Sequence, residues 1–178
     1  MKKIAILFAV MLMSCGGVKI KGVTSASNFA LSNYKTYNFY EVDAEGDALS
    51  DNYKENLELV KTAVSKQMVL RGLTQTSGSP DLLVNIGAVV SEEIQTRETS
   101  FANPADRMAY MGQRNYSWQV GEVEVGRYRE GSVILDLVDS RSVKLLWQGS
   151  ADSILPTKEK NLPALIDSGI AKLFEKIK

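Results

Sequence analysis

With no histidine and a single cysteine, Cys15, among its 178 residues, this chain must draw any chemistry from carboxylates, lysines or tyrosines. Composition alone excludes a Ser-His-Asp triad, a Cys-His pair, an imidazole metal ligand, a thiolate zinc cage and an intrachain disulfide. Among the acids, Asp81 follows Pro80 and precedes the apolar run Leu82-Leu83-Val84. Its oxygens can cap backbone amides at a strand start or, in a cleft, hold a ligand; capping is the simpler reading. Asp136 and Asp139 stand three apart on a strand pattern and so point to opposite faces, which disfavours the convergent pair that glycosidase-type chemistry needs. Asp139 reads as a turn residue and Asp136 as solvent-facing or ion-paired. Glu92, Glu93 and Asp106 offer oxygens to a hard cation, yet their spacing matches no calcium loop and a solvated charged surface is expected. Trp118 and Trp147 could be sugar platforms; sheet core is the simpler reading. Met108, Tyr110 and Met111 differ, because the stretch 100–115 has no clear period that would bury them. Adaptable Met and aromatic side chains there form a candidate interaction surface. No catalytic residue, metal site or cofactor is assigned.

Cys15 has a more specific reading. The chain opens Met1-Lys2-Lys3, runs apolar from Ile4 to Met13, and reaches Leu12-Met13-Ser14-Cys15. Ten helical residues reach only about 15 Å, half of a hydrocarbon core, so this is a signal peptide rather than a permanent span. Leu12, Met13, Ser14 and Cys15 resemble the lipobox of bacterial lipoproteins, in which the cysteine is lipidated after cleavage before it. Several acyl chains on one residue anchor stably where one binds only marginally. Cleavage removes Lys2 and Lys3 and takes the basic count from 21 to 19 against 21 acids. A charge of about −2 leaves no field to steer nucleic acid. No aspartate or acidic cluster follows Cys15, so by similarity to lipoprotein sorting rules the expected location is the outer membrane, facing the periplasm.

The elements that must position these residues follow from periodicity. Residues 1–14 are read as signal peptide, 15–28 as a lipidated tether and 29–178 as one domain. Tyr34 to Tyr40 alternates as a strand; Ser50 or Asp51 can cap a helix carrying Tyr53, Leu57, Val60, Val64 and Met68 on one stripe, with Gly72 at its end. Leu82, Val84, Ile86, Ala88 and Val90 form the apolar side of a second strand, which Ser91–Thr99 can extend. A bulge or turn at Gly121 would bring both Trp118 and Val120 and the out-of-phase Val123 and Val125 to the core. Ser132–Asp139 and Val143–Gly149 make a hairpin around Asp139-Ser140-Arg141-Ser142, and a final helix carries Leu162, Ile166, Ile170, Leu173, Phe174 and Ile177. The expected fold is α+β: a two-layer sandwich in the order β-α-β-β-β-β-α, its mainly antiparallel sheet of four to five strands covered on one face by two amphipathic helices.

Several blocks, Tyr34-Lys35-Thr36-Tyr37-Asn38-Phe39, Arg71-Gly72-Leu73, Pro80-Asp81-Leu82-Leu83-Val84, Gly131 to Asp139 and Leu146-Trp147-Gln148-Gly149, resemble in order the bacterial lipoprotein family known as domain of unknown function 4136. One departure is Phe174-Glu175, where members often carry proline after the phenylalanine. The resemblance implies an envelope lipoprotein of α+β fold and no established activity, so it transfers no catalytic residue. The expected role is a non-enzymatic, lipid-anchored interaction or accessory module with an envelope protein partner. The alternative is a carrier of a small apolar or lipid ligand between helices and sheet, requiring a cavity of about 300 Å³ or more; a carboxylate hydrolase is a third reading.

Overall fold

Leu82, Val84 and Ile86 are buried on one side of their strand while Leu83, Asn85 and Gly87 occupy the other, as a period of two requires. That strand sits inside a single sheet in this computed structural model, which describes residues 17–100, 102–106 and 121–177. The strands are β1 (Lys19–Ser25), β2 (Thr36–Glu45), β3 (Thr74–Gln75), β4 (Leu82–Glu98), β5 (Glu122–Asp139) and β6 (Lys144–Ile154), in the spatial order β1-β6-β5-β4-β2-β3. Helices α1 (Tyr53–Leu70) and α2 (Leu162–Phe174) lie against each other and bury their stripes in the same core as the sheet. The fold is the expected two-layer α+β sandwich, with six strands rather than four or five. A helical turn also begins at Pro104.

Both additional strands lie at sheet edges. Residues 19–25, read from sequence as tether, pair with β6: Ile20 sits opposite Ala151, and Lys19 and Lys21 lie on the other face opposite Asp152 and Ser150. Thr74–Gln75 adds two parallel residues beside Thr36–Tyr37. β2 also runs parallel to β4, because α1 supplies the crossover that a parallel pair demands. The remaining pairs are antiparallel.

The expected helix ends hold with one change. Gly72 has φ +82, and the amides of Gly72 and Leu73 return to the carbonyls of Val69 and Met68 at 2.9 and 3.1 Å, closing α1 with buried Leu73 against it. At the other end the cap position is Asn52, not Ser50 or Asp51. Ser50 instead accepts the Tyr53 amide on its carbonyl and the Asn56 side chain on its hydroxyl, at 3.0 and 3.3 Å. Pro163 occupies the first turn of α2, as its fixed φ allows.

The hairpin β5–β6 turns where expected. Asp139 Oδ1 accepts the Arg141 and Ser142 amides at 3.1 and 2.7 Å and the Ser142 hydroxyl at 2.8 Å. Beyond it Leu137 pairs with Trp147 and Val138 with Leu145, so Leu146 is a bulge. That bulge explains why Trp147 is 1% exposed and Leu145 is 47% exposed although they stand two apart. β5 is continuous from Glu122, and its bulge lies at Val125 rather than Gly121. Trp118 and Val120 lie outside the described residues.

Candidate functional site

Asp81 and Asp139 both lie at one end of the sheet, where β4 starts and β5 ends, Leu82 standing opposite Asp139 and the Ser140 amide donating to the Asp81 carbonyl at 3.0 Å. Asp81 Oδ2 accepts the Lys35 and Thr36 amides at 3.0 Å each, and the Asp81 amide donates back to Thr36 Oγ1 at 2.9 Å. This reciprocal clasp fixes β2 against β4 and matches the capping role expected of Asp81. Those bonds hold its carboxyl below the usual range, as the Ser142 and Arg141 amides do for Asp139. Burial, then the charges of Asp139 and Asp81, push the Tyr34 phenol up. Both carboxylates are thus taken up by backbone amides and, at Asp139, a hydroxyl.

The other acids are committed elsewhere. Arg97 grips Asp106 with both terminal nitrogens, at 2.6 and 2.9 Å, and the Ser100 amide adds a bond at 2.9 Å, bringing the Asp106 carboxyl down to about 2. Glu92 pairs with Arg127 at 3.1 Å, and Glu93 accepts the Ser91 hydroxyl at 3.3 Å. The cation trio considered from sequence is therefore not assembled, and no group of three metal-ligating side chains occurs among the described residues. Asp136 is half-buried on the sheet face away from the helices and accepts Gln148 Nε2 at 2.9 Å. Trp147 packs in the core. Leu12, Met13, Ser14 and Cys15, and the proposed surface Met108, Tyr110 and Met111, lie outside the described residues.

Sequence reading missed Asp152, the one buried charged residue among those described, at 7% exposure. It accepts the Ser132 hydroxyl at 2.9 Å and pairs with Lys21 of β1. A buried carboxylate needs such partners to offset its desolvation. The alternation Gln148, Ser150, Asp152 on β6 was the available signal, but its partner Lys21 stands in a segment read as tether.

An apolar cavity does lie between the helices and the sheet, where the carrier reading required one, but it measures about 130 Å³ rather than about 300 Å³ or more. Register creates it: Ile20, Ala151, Val133, Ala88 and Ala44 form one row across five strands, and three of those five side chains are methyl groups. The floor at Ala44, Ala88 and Ala151 is low; Val18, Leu57 and Ile166 wall the space, with Asn56 and Arg129 as polar groups on the lining. The segment over this end depends on Gly46, at φ +128, where a Cβ would run into the Val90 carbonyl. About 130 Å³ is below the ~300 Å³ of a small-molecule pocket. It resembles the ~150 Å³ void that accepts one benzene ring.

The architecture defines a class: a two-layer α+β domain with a mixed sheet, helices on one face, and a ring-sized apolar cavity between the layers. The chain belongs to the family described as domain of unknown function (DUF4136), which matches residues 23–177. It is similar to a DUF4136 family protein from Bacteroides thetaiotaomicron, at TM-score 0.52 and 14% identity, covering 89% of this chain and 95% of that one. It is also similar to a PDZ domain protein from Parabacteroides distasonis, at TM-score 0.50 and 12% identity, covering 88% of this chain but 35% of that chain, about a third of its length. Sequence comparison with curated proteins finds no match. Likeness at these identities speaks to the fold alone.

Proposed function

We propose that this chain is a non-enzymatic interaction module of the bacterial envelope, held at the outer membrane by lipid on Cys15 and facing the periplasm. The lipobox-like Leu12-Met13-Ser14-Cys15 supports the anchor. The cavity over Ala44, Ala88 and Ala151 carries the binding half of the reading. Its small size supports the interaction role over the carrier role. A carrier must enclose most of a ligand, whereas about 130 Å³ takes one bulky apolar group. A single buried aromatic or aliphatic anchor is how a protein partner concentrates binding energy in a small pocket. The occupant is therefore one apolar side chain of an envelope protein.

A photoreactive residue at Asn56, on the cavity wall, tests this in intact cells. A discrete protein adduct that disappears when Ala88→Ile fills the floor is the expected result. An adduct unchanged by Ala88→Ile, or none at all, overturns the reading, and recovery of lipid instead of protein moves it to the carrier.

A further inference from the structure

The sheet leaves two edges, and they carry opposite charge. At one edge β1 presents Lys19 and Lys21, both exposed, Lys21 also pairing with Asp152 of its own sheet. At the other, β3 covers only Thr36 and Tyr37, so among the described residues no strand pairs with the outer side of Asn38–Glu45. There Glu41, Asp43 and Glu45 are exposed.

Cross-strand register shows how these edges correspond. Lys21, Ser150, Ile134, Gly87 and Asp43 form one row across the sheet, and Lys19, Asp152, Ser132, Val89 and Glu45 form a second on the same face. Between them runs the row from Ile20 to Ala44 on the helix side. Each row thus ends in lysine at one edge and a carboxylate at the other, or in apolar residues at both. β1 and β2 run in opposite directions, since three antiparallel steps and one parallel step separate them.

From this we infer that copies of this chain associate head to tail, the β1 edge of one adding as an antiparallel strand to the β2 edge of the next. Continuing the rows sets Lys21 beside Asp43, Ile20 beside Ala44 and Lys19 beside Glu45. Opposite charges directly across a strand pair stabilise it and like charges oppose it. Two β1 edges, or two β2 edges, would bring lysine to lysine or acid to acid, so the symmetric alternatives are disfavoured. Bulges at Gly22–Val23 and at Tyr40–Glu41 bound the straight segments and keep the pairing short. The Ala44 amide is at present held by Asp43 Oδ1 at 2.8 Å, a local bond that an arriving strand replaces. A contact between unlike surfaces repeats, giving a closed ring or an open filament. This inference is independent of the cavity reading.

Charge exchange tests it on the full chain in detergent, with mass read by sedimentation and folding by circular dichroism. Lys19→Glu with Lys21→Glu leaves both edges acidic; Asp43→Lys with Glu45→Lys leaves both basic. Wild type should sediment at a multiple of the monomer mass, each variant alone as monomer, and an equal mixture of the two should recover the multimer. A monomeric wild type overturns the inference, as do variants that keep the wild-type mass or a mixture that fails to recover it. Should either charge variant not fold, Lys21→Cys with Asp43→Cys in a Cys15→Ser chain replaces it. A disulfide ladder supports the pairing, and its absence contradicts it.

Discussion

Replacing Ala88 by isoleucine should stabilise this protein while blocking the partner contact proposed for the cavity. Ala88 lies on β4 between Ala44 and Val133, its methyl facing the cavity. Ala88→Ile adds three carbons, worth about 0.8 kcal/mol each when buried, or ~2.4 kcal/mol if all are accommodated. Imperfect fit subtracts part of this, since overpacking costs about 1–3 kcal/mol where space is lacking. A β-branched side chain also suits a strand. The net expectation is a gain of about 1–2 kcal/mol, which at roughly 2–4 °C per kcal/mol raises the midpoint by about 2–8 °C. Thermal melts followed by far-ultraviolet circular dichroism read this directly, with urea titrations to confirm an unchanged m-value. A midpoint at or below wild type would show that the space over Ala88 is already filled. The cavity argument would then fail, whatever the crosslinking result.

Gly149→Ala should act in the opposite direction. A Cβ there would lie 2.5 Å from Trp147 Cη2 and 3.0 Å from Leu173 Cδ1, and the packed indole cannot yield. Overpacking of about 1–3 kcal/mol, less ~0.5–1 kcal/mol from removing a strand glycine, predicts a net loss that a melt detects; an unchanged midpoint contradicts the packing of Trp147. Acid should unfold the domain through Asp81, Asp106 and Asp139. Their carboxyls are held low when folded, so the stability they supply is complete above the ordinary carboxylate range near about 4 and fades as pH falls through the folded values. For Asp106 that value is about 2. Midpoints should fall between about pH 5 and about pH 2, and more shallowly in Asp106→Asn; a flat profile for wild type would refute the assignment.

How much of this was legible beforehand follows from how local each feature is. Leu82–Val90, the α1 stripe, Gly72 and the Asp139 turn are each fixed by neighbours within a few residues, and each was readable. β1 was not, because Lys-Ile-Lys-Gly becomes a strand only through Asp152 and Ser150, contacts that span 129 residues in the Ser150–Lys21 bond. The Leu146 bulge was equally hidden, since Leu145-Leu146-Trp147 shows three apolar residues and no sign of which one the ladder skips. The lining and size of the cavity were the least visible features, although its place between helices and sheet had been considered. Ala44, Ala88 and Ala151 are unremarkable in three separate segments, and only sheet register places them in one row. For the candidate residues the simpler structural readings were the right ones: Asp81 clasps two strands, Asp106 holds Arg97, and Trp147 fills the core.

The proposed lipid anchor on Cys15 would decide where this protein works, and one measurement tests it. Cells fed a fatty-acid analogue should label the mature wild-type protein, and its intact mass should correspond to a chain beginning at Cys15 and carrying acyl groups. Cys15→Ser should carry no label and should leave the membrane fraction. A wild-type chain without label, or with an amino terminus other than Cys15, would contradict the account.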